Sequence, residues 1–104
     1  MTRIPPILLV GCGRMGSAML SGWRERGLAP SVAIDPAPSA AAHAGPDLIV
    51  VADAAAVPEA FSPAAVVLAV KPQSAAEALP PLARFAPGAV FLSIMAGQIG
   101  RAHV

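Results

Sequence analysis

Tyrosine is absent from this 104-residue chain, aromatic residues make up only 4% of it, and Cys12 is its single cysteine. So few rings, with a net charge of +1 at pH 7, supply neither the stacking platform nor the basic patch of a nucleic-acid binder. One cysteine excludes an internal disulfide and any metal cluster built from cysteine alone. Long apolar runs are also lacking. The longest, 64–70 and 89–94, are interrupted at Lys71 and Ser93, well short of the ~20 residues a membrane-spanning helix needs. Charge is sparse too, at 12% against 56% hydrophobic residues, which excludes a disordered tail. That apolar content is mostly small, with 24 alanines beside 12 prolines and 9 glycines. The opening ten residues carry an arginine and a short apolar run, but no Ala-x-Ala cleavage segment follows as in a secretory signal. The expected compartment is the cytoplasm, with no membrane partner.

Ile7-Leu8-Leu9-Val10 is a continuous apolar run ending at a glycine, the pattern of a strand buried on both faces. Met15, Ala18, Met19, Gly22 and Trp23 recur at helical spacing over 15–26, leaving Arg24, Glu25 and Arg26 to solvent and Gly27 as the stop. A second strand is predicted at 32–34, and a short Ala-rich helix at 39–44 with Ser39 as its cap. The third strand follows at 48–51, then a weak helix over 54–61 limited by Pro58. Residues 65–70 give a fourth strand, 74–85 a helix interrupted at Pro80-Pro81, and 89–93 a fifth strand. Alternation of this kind predicts an α/β fold of the Rossmann type: a doubly wound parallel sheet of about five strands, order 3-2-1-4-5.

Between the first strand and helix lies Gly11-Cys12-Gly13-Arg14-Met15-Gly16, a G-x-G-x-x-G pattern in the context that makes it informative. Gly11 permits the tight turn, Gly13 the approach of a pyrophosphate, and Gly16 close packing of helix on strand. The N–H groups at the helix start would face the phosphates, with Cys12 and Met15 at variable positions and Arg14 toward solvent beside them. Asp35 stands 19 residues beyond Gly16, where a carboxylate accepts from the adenosine ribose hydroxyls and repels a 2′-phosphate. The cofactor expected is therefore NADH or NADPH, with Asp35 arguing for NADH. Asp35-Pro36 also reads as a plain turn-forming pair.

Ligands of open α/β sheets lie beyond the carboxyl ends of the strands. The fourth strand delivers Val70-Lys71-Pro72-Gln73 there, and the fifth Ser93-Ile94-Met95-Ala96-Gly97. Taken with the glycine turn, Ala69-Val70-Lys71-Pro72-Gln73 and Ser93-Ile94-Met95-Ala96-Gly97 resemble the amino-terminal domain of the pyrroline-5-carboxylate reductases, over nearly the whole chain. The resemblance implies reduction of the cyclic imine 1-pyrroline-5-carboxylate to L-proline by NAD(P)H, the last step of proline biosynthesis. It implies that Gly11 to Gly16 hold the pyrophosphate and that Val70, Lys71, Pro72, Ala96 and Gly97 line the nicotinamide half. The family often has small hydroxyl residues where this chain has Asp35-Pro36, and an amide where it has Ala54.

The resemblance further implies a helical domain that binds the imino-acid carboxylate and forms a homo-oligomer in the full-length enzyme. This chain is expected to comprise the cofactor-binding domain over 1–98, a foreign tail over 99–104, and no helical domain, and so to be inactive alone. No catalytic acid is named; His43, in an Ala-rich segment, and His103, in the tail, are poor candidates. No metal is expected. The alternatives are the same domain of another imine reductase or hydroxyacid dehydrogenase, or a dinucleotide-binding module without catalysis.

Overall fold

The computed structural model describes residues 3–94. Its centre is β1 (Ile7–Val10), buried at all four positions. On one side β1 pairs with β2 (Ser31–Ile34), which pairs with β3 (Leu48–Val51). On the other it pairs with β4 (Ala65–Leu68), which pairs with β5 (Val90–Ser93). All pairings are parallel, in the order β3-β2-β1-β4-β5, as the sequence predicts. β1 and β2 are buried on both faces because helices cover both, which is why they read as unbroken apolar runs. A buried cross-link, the Ile7 N–H donating to Ser31 Oγ at 3.0 Å, joins their starts.

Side chains alternate between two cores. Ile7, Leu9, Ala33, Leu48 and Val67 pack under α1 (Arg14–Arg26) through Leu20, Met19 and Trp23. Leu8, Val10, Val32, Val66 and Leu68 pack under Val57, Leu82 and Phe85. Burying each large side chain contributes about 1.5–3 kcal/mol.

The helix α1 ends at Gly27 with φ 91°, the left-handed stop its sequence announces. Its buried face departs from expectation. Gly16, Met19, Leu20 and Trp23 face the sheet, whereas Met15, Ala18 and Gly22 are exposed. The contact of Gly16 with the Gly11 backbone sets this phase. Arg24 is not left to solvent either. Its Nη2 lies 2.8 Å from Asp47 Oδ1 and its Nε 3.0 Å from Oδ2, while Nη2 also donates to the His43 carbonyl at 2.6 Å.

The hydrogen bonds from Arg24 hold the Asp47 carboxyl below its ordinary range. A depressed folded value means the contribution is complete above about pH 4 and is lost as pH falls through it. Asp47→Asn is therefore expected to cost about 0.5–1 kcal/mol at pH 7, a cost that shrinks as pH falls below the ordinary carboxylate range. Urea unfolding across that range checks it; a cost constant with pH refutes it.

Three predicted helices are shorter or tighter than expected. The segment Pro38–His43 is a 3₁₀ helix starting after Ala37, without a Ser39 cap. The predicted helix over 54–61 is one 3₁₀ turn, Ala54–Ala56. The predicted 74–85 helix is α2 (Pro72–Ala78) followed by a 3₁₀ helix, Pro80–Phe85, divided where the two prolines remove N–H donors. Strand β4 stops at Leu68, before Val70. On β5, Phe91 packs into the second core, but Val90 and Leu92, on the opposite face, are 62% and 50% exposed.

Candidate functional site

The turn from β1 into α1 is built by glycine at two points. Gly11 has φ 99°, and a Cβ on it would lie 2.7 Å from the Ala69 carbonyl oxygen and 2.8 Å from Val70 Cγ1. A Cβ on Gly16 would overlap the Gly11 carbonyl oxygen. The loop is thus pressed between β4 and the first turn of α1, with no room for a side chain at either place.

Gly13 differs. It is the N-cap residue of α1, with φ −71° and ψ −161°, and a Cβ there would meet nothing within 4 Å. No side chain caps α1. The first intrahelical donor is Ser17, whose N–H reaches the Gly13 carbonyl at 2.8 Å. The N–H groups of Arg14, Met15 and Gly16 precede it, at the positions that lack helical acceptors. Open space in front of a bare helix start fits a phosphate group. Arg14 and Met15 are both exposed beside it.

Asp35 follows β2 and is tied into this loop. Its Oδ2 accepts the Cys12 N–H at 2.7 Å, and its Oδ1 accepts the Ala37 N–H at 2.9 Å. The carboxylate is thereby fixed at the lip of the loop, with lone pairs left for a diol. Cys12 is buried. Burial, and secondarily the charge of Asp35, push its thiol above the ordinary value, so at neutral pH it is a protonated packing group. Ser17 Oγ donates to the Cys12 carbonyl at 2.8 Å and sits 3.2 Å from His43 Nε2. His43 therefore braces the loop from a half-buried position, which the sequence reading did not foresee.

A cleft of about 380 Å³ opens beside the loop, at the carboxyl ends of the strands. Val10, Gly11, Ile34, Asp35 and Pro36 form one side, Ala52, Asp53 and Ala54 the end, and Val70, Ser74, Ala78, Pro81 and Leu82 the far wall. The structure thus brings Gly11, Asp35 and Val70 together. Lys71 is exposed and is the N-cap residue of α2; its carbonyl accepts from Ser74 and Ala75, each at 2.9 Å. Pro72 opens α2. Ala96 and Gly97, and the predicted tail over 99–104, lie outside the described residues. Ser93 ends β5, and its buried hydroxyl oxygen has no hydrogen-bond partner among the described residues.

Asp53, and the wall that α2 and the following 3₁₀ helix contribute, are not among the site residues expected from sequence. Asp53 was legible as a second aspartate just past a strand; Ala78, Pro81 and Leu82 gave no signal, since they look like ordinary helix packing. Among the described residues no group of three metal-ligating side chains occurs, and no helix is long and apolar enough to cross a membrane. Residues 6–97 match the family model described as NADP oxidoreductase, coenzyme F420-dependent. No curated protein and no solved structure matches the chain.

Proposed function

The chain belongs to the family described as NADP oxidoreductase, coenzyme F420-dependent, and from that premise we propose that it is the cofactor-holding domain of a reductase acting on 1-pyrroline-5-carboxylate. A nicotinamide dinucleotide is the cofactor such a family implies, and when bound in reduced form it supplies hydride. The observation that carries its placement is the bare start of α1 at Gly13, set beside the anchored carboxylate of Asp35.

The residues present would act by position. Gly13 and the first turn of α1 would bind the pyrophosphate through backbone N–H groups, aided by the helix dipole. Asp35 would accept from the ribose hydroxyls nearest the base. Val70 would wall the cleft against water on the path toward the ends of β4 and β5. Holding the imine against the reduced ring would supply effective molarity, a task that the resemblance assigns in part to a helical domain forming a homo-oligomer.

Amino-terminal domains of pyrroline-5-carboxylate reductases fall in the same family, and the Val70-Lys71-Pro72 and Ser93-Ile94 stretches support that substrate within it. A fusion of the chain to the helical domain of such a reductase is expected to oxidise NADH when given 1-pyrroline-5-carboxylate. Turnover with 2-oxo acids instead would overturn the assignment.

The same site favours NADH over NADPH. Asp35 and Asp53 are the charged residues lining the cleft among the described residues, and a 2′-phosphate beside Asp35 would meet like charge. Asp35→Ser is expected to weaken NADH binding about tenfold and to reverse the preference. Calorimetric titration with both cofactors checks this; an unchanged order of affinities counts against it.

A further inference from the structure

Asp53 is not used by the pyrophosphate or the ribose in the reading above. In the β2–β3 register Ile34 lies opposite Val51, so Asp53 stands just past Asp35 on the neighbouring chain segment. Strands in a sheet lie about 4.8 Å apart, so the two carboxylates mark successive points along one cleft. The Oδ1 of Asp53 accepts the Ala56 N–H at 3.1 Å, which holds the side chain at the start of the Ala54–Ala56 turn. Its Oδ2 has no hydrogen-bond partner among the described residues. Ala52 and Ala54 flank it in sequence, and Ala78 and Leu82 line the same cleft.

A dinucleotide with its pyrophosphate at Gly13 and its ribose at Asp35 has only this end of the cleft left for its base. That end is lined by alanines and Leu82 beside the anchored Asp53 carboxylate. We propose that Asp53 selects the base, its free carboxylate oxygen accepting a hydrogen bond from the 6-amino group of adenine; this rests on the cofactor reading above. A 6-oxo purine places an oxygen lone pair where the amine stood, and the carboxylate repels it. The site is thereby specific for 6-aminopurine dinucleotides, a property independent of which cofactor form or substrate the protein uses.

The test compares NADH with its hypoxanthine analogue, by calorimetric titration of the full chain. The native chain is expected to prefer NADH about tenfold, as loss of one charge-assisted hydrogen bond implies. Asp53→Asn keeps its amide oxygen on the Ala56 N–H and presents its NH2 to the base, a group that donates to a 6-oxo purine and cannot accept from a 6-amine, so the preference for NADH is expected to vanish or reverse. Circular dichroism confirms that the variant is folded. Equal affinity of the native chain for both dinucleotides, or an undiminished preference in Asp53→Asn, overturns base selection while leaving the cofactor reading intact. Binding of neither dinucleotide by the folded native chain removes that reading and base selection with it.

Discussion

Gly16→Ala is expected to destabilise the chain by about 3 kcal/mol, the upper range for forcing a methyl group into a closed contact. The added carbon would overlap the Gly11 carbonyl oxygen, and neither partner has room to retreat. Gly11 is held at φ 99° and is itself hemmed in by Ala69 and Val70. On the other side Gly16 lies at the start of the stripe that buries Leu20, so tilting α1 outward would open the core beneath it. Against a total stability of roughly 5–15 kcal/mol, the loss is large. Denaturant unfolding followed by circular dichroism measures it, and a change below about 0.5 kcal/mol would show that the loop is softer than its geometry implies.

Gly13→Ala separates folding from binding. The backbone there is extended, with φ −71° and ψ −161°, which alanine adopts without strain. The new methyl group meets no protein atom within 4 Å, so stability is expected to stay within about 0.5 kcal/mol of the parent. Dinucleotide affinity is expected to fall at least about thirtyfold, because the methyl group takes the space through which phosphate oxygens reach the Arg14, Met15 and Gly16 N–H groups. The same calorimetric titration reads the affinity. Retained affinity in a folded variant would place the phosphates elsewhere.

Much of this architecture is legible in the residues. The unbroken apolar run Ile7–Val10 is buried on both faces, and the glycine turn fixes where it meets a helix. The phase of α1 was harder to read, because Met15, Ala18 and Gly22 are as apolar by type as the residues that turn inward. The contact between Gly16 and Gly11 decides it, and a glycine carries no hydropathy signal. Tight 3₁₀ turns replaced α-helices where proline and alanine gave neither caps nor a long apolar stripe. The Arg24–Asp47 pair and the Cys12–Asp35 hydrogen bond join positions 23 residues apart, a relation that periodicity cannot express. Gly11, Asp35 and Val70 line one cleft because motif and strand order place all three at the carboxyl ends of the strands. Asp53 escaped because a lone aspartate after a strand ordinarily signals only a turn.

The central strand also sets a timetable for synthesis. Ile7 pairs with Ser31's strand on one side, but its other partner is Ala65, 58 residues later. At roughly 5–20 residues per second, the first strand to leave the ribosome waits several seconds with one edge unpaired. Its Leu8 and Leu9, 0% and 1% exposed in the finished fold, stay uncovered on that side until β4 arrives. The sheet therefore grows from β1 first toward β3 and only later toward β4 and the β5 edge, and a nascent chain halted before residue 65 presents a chaperone with an apolar strand whose neighbour has not yet been made.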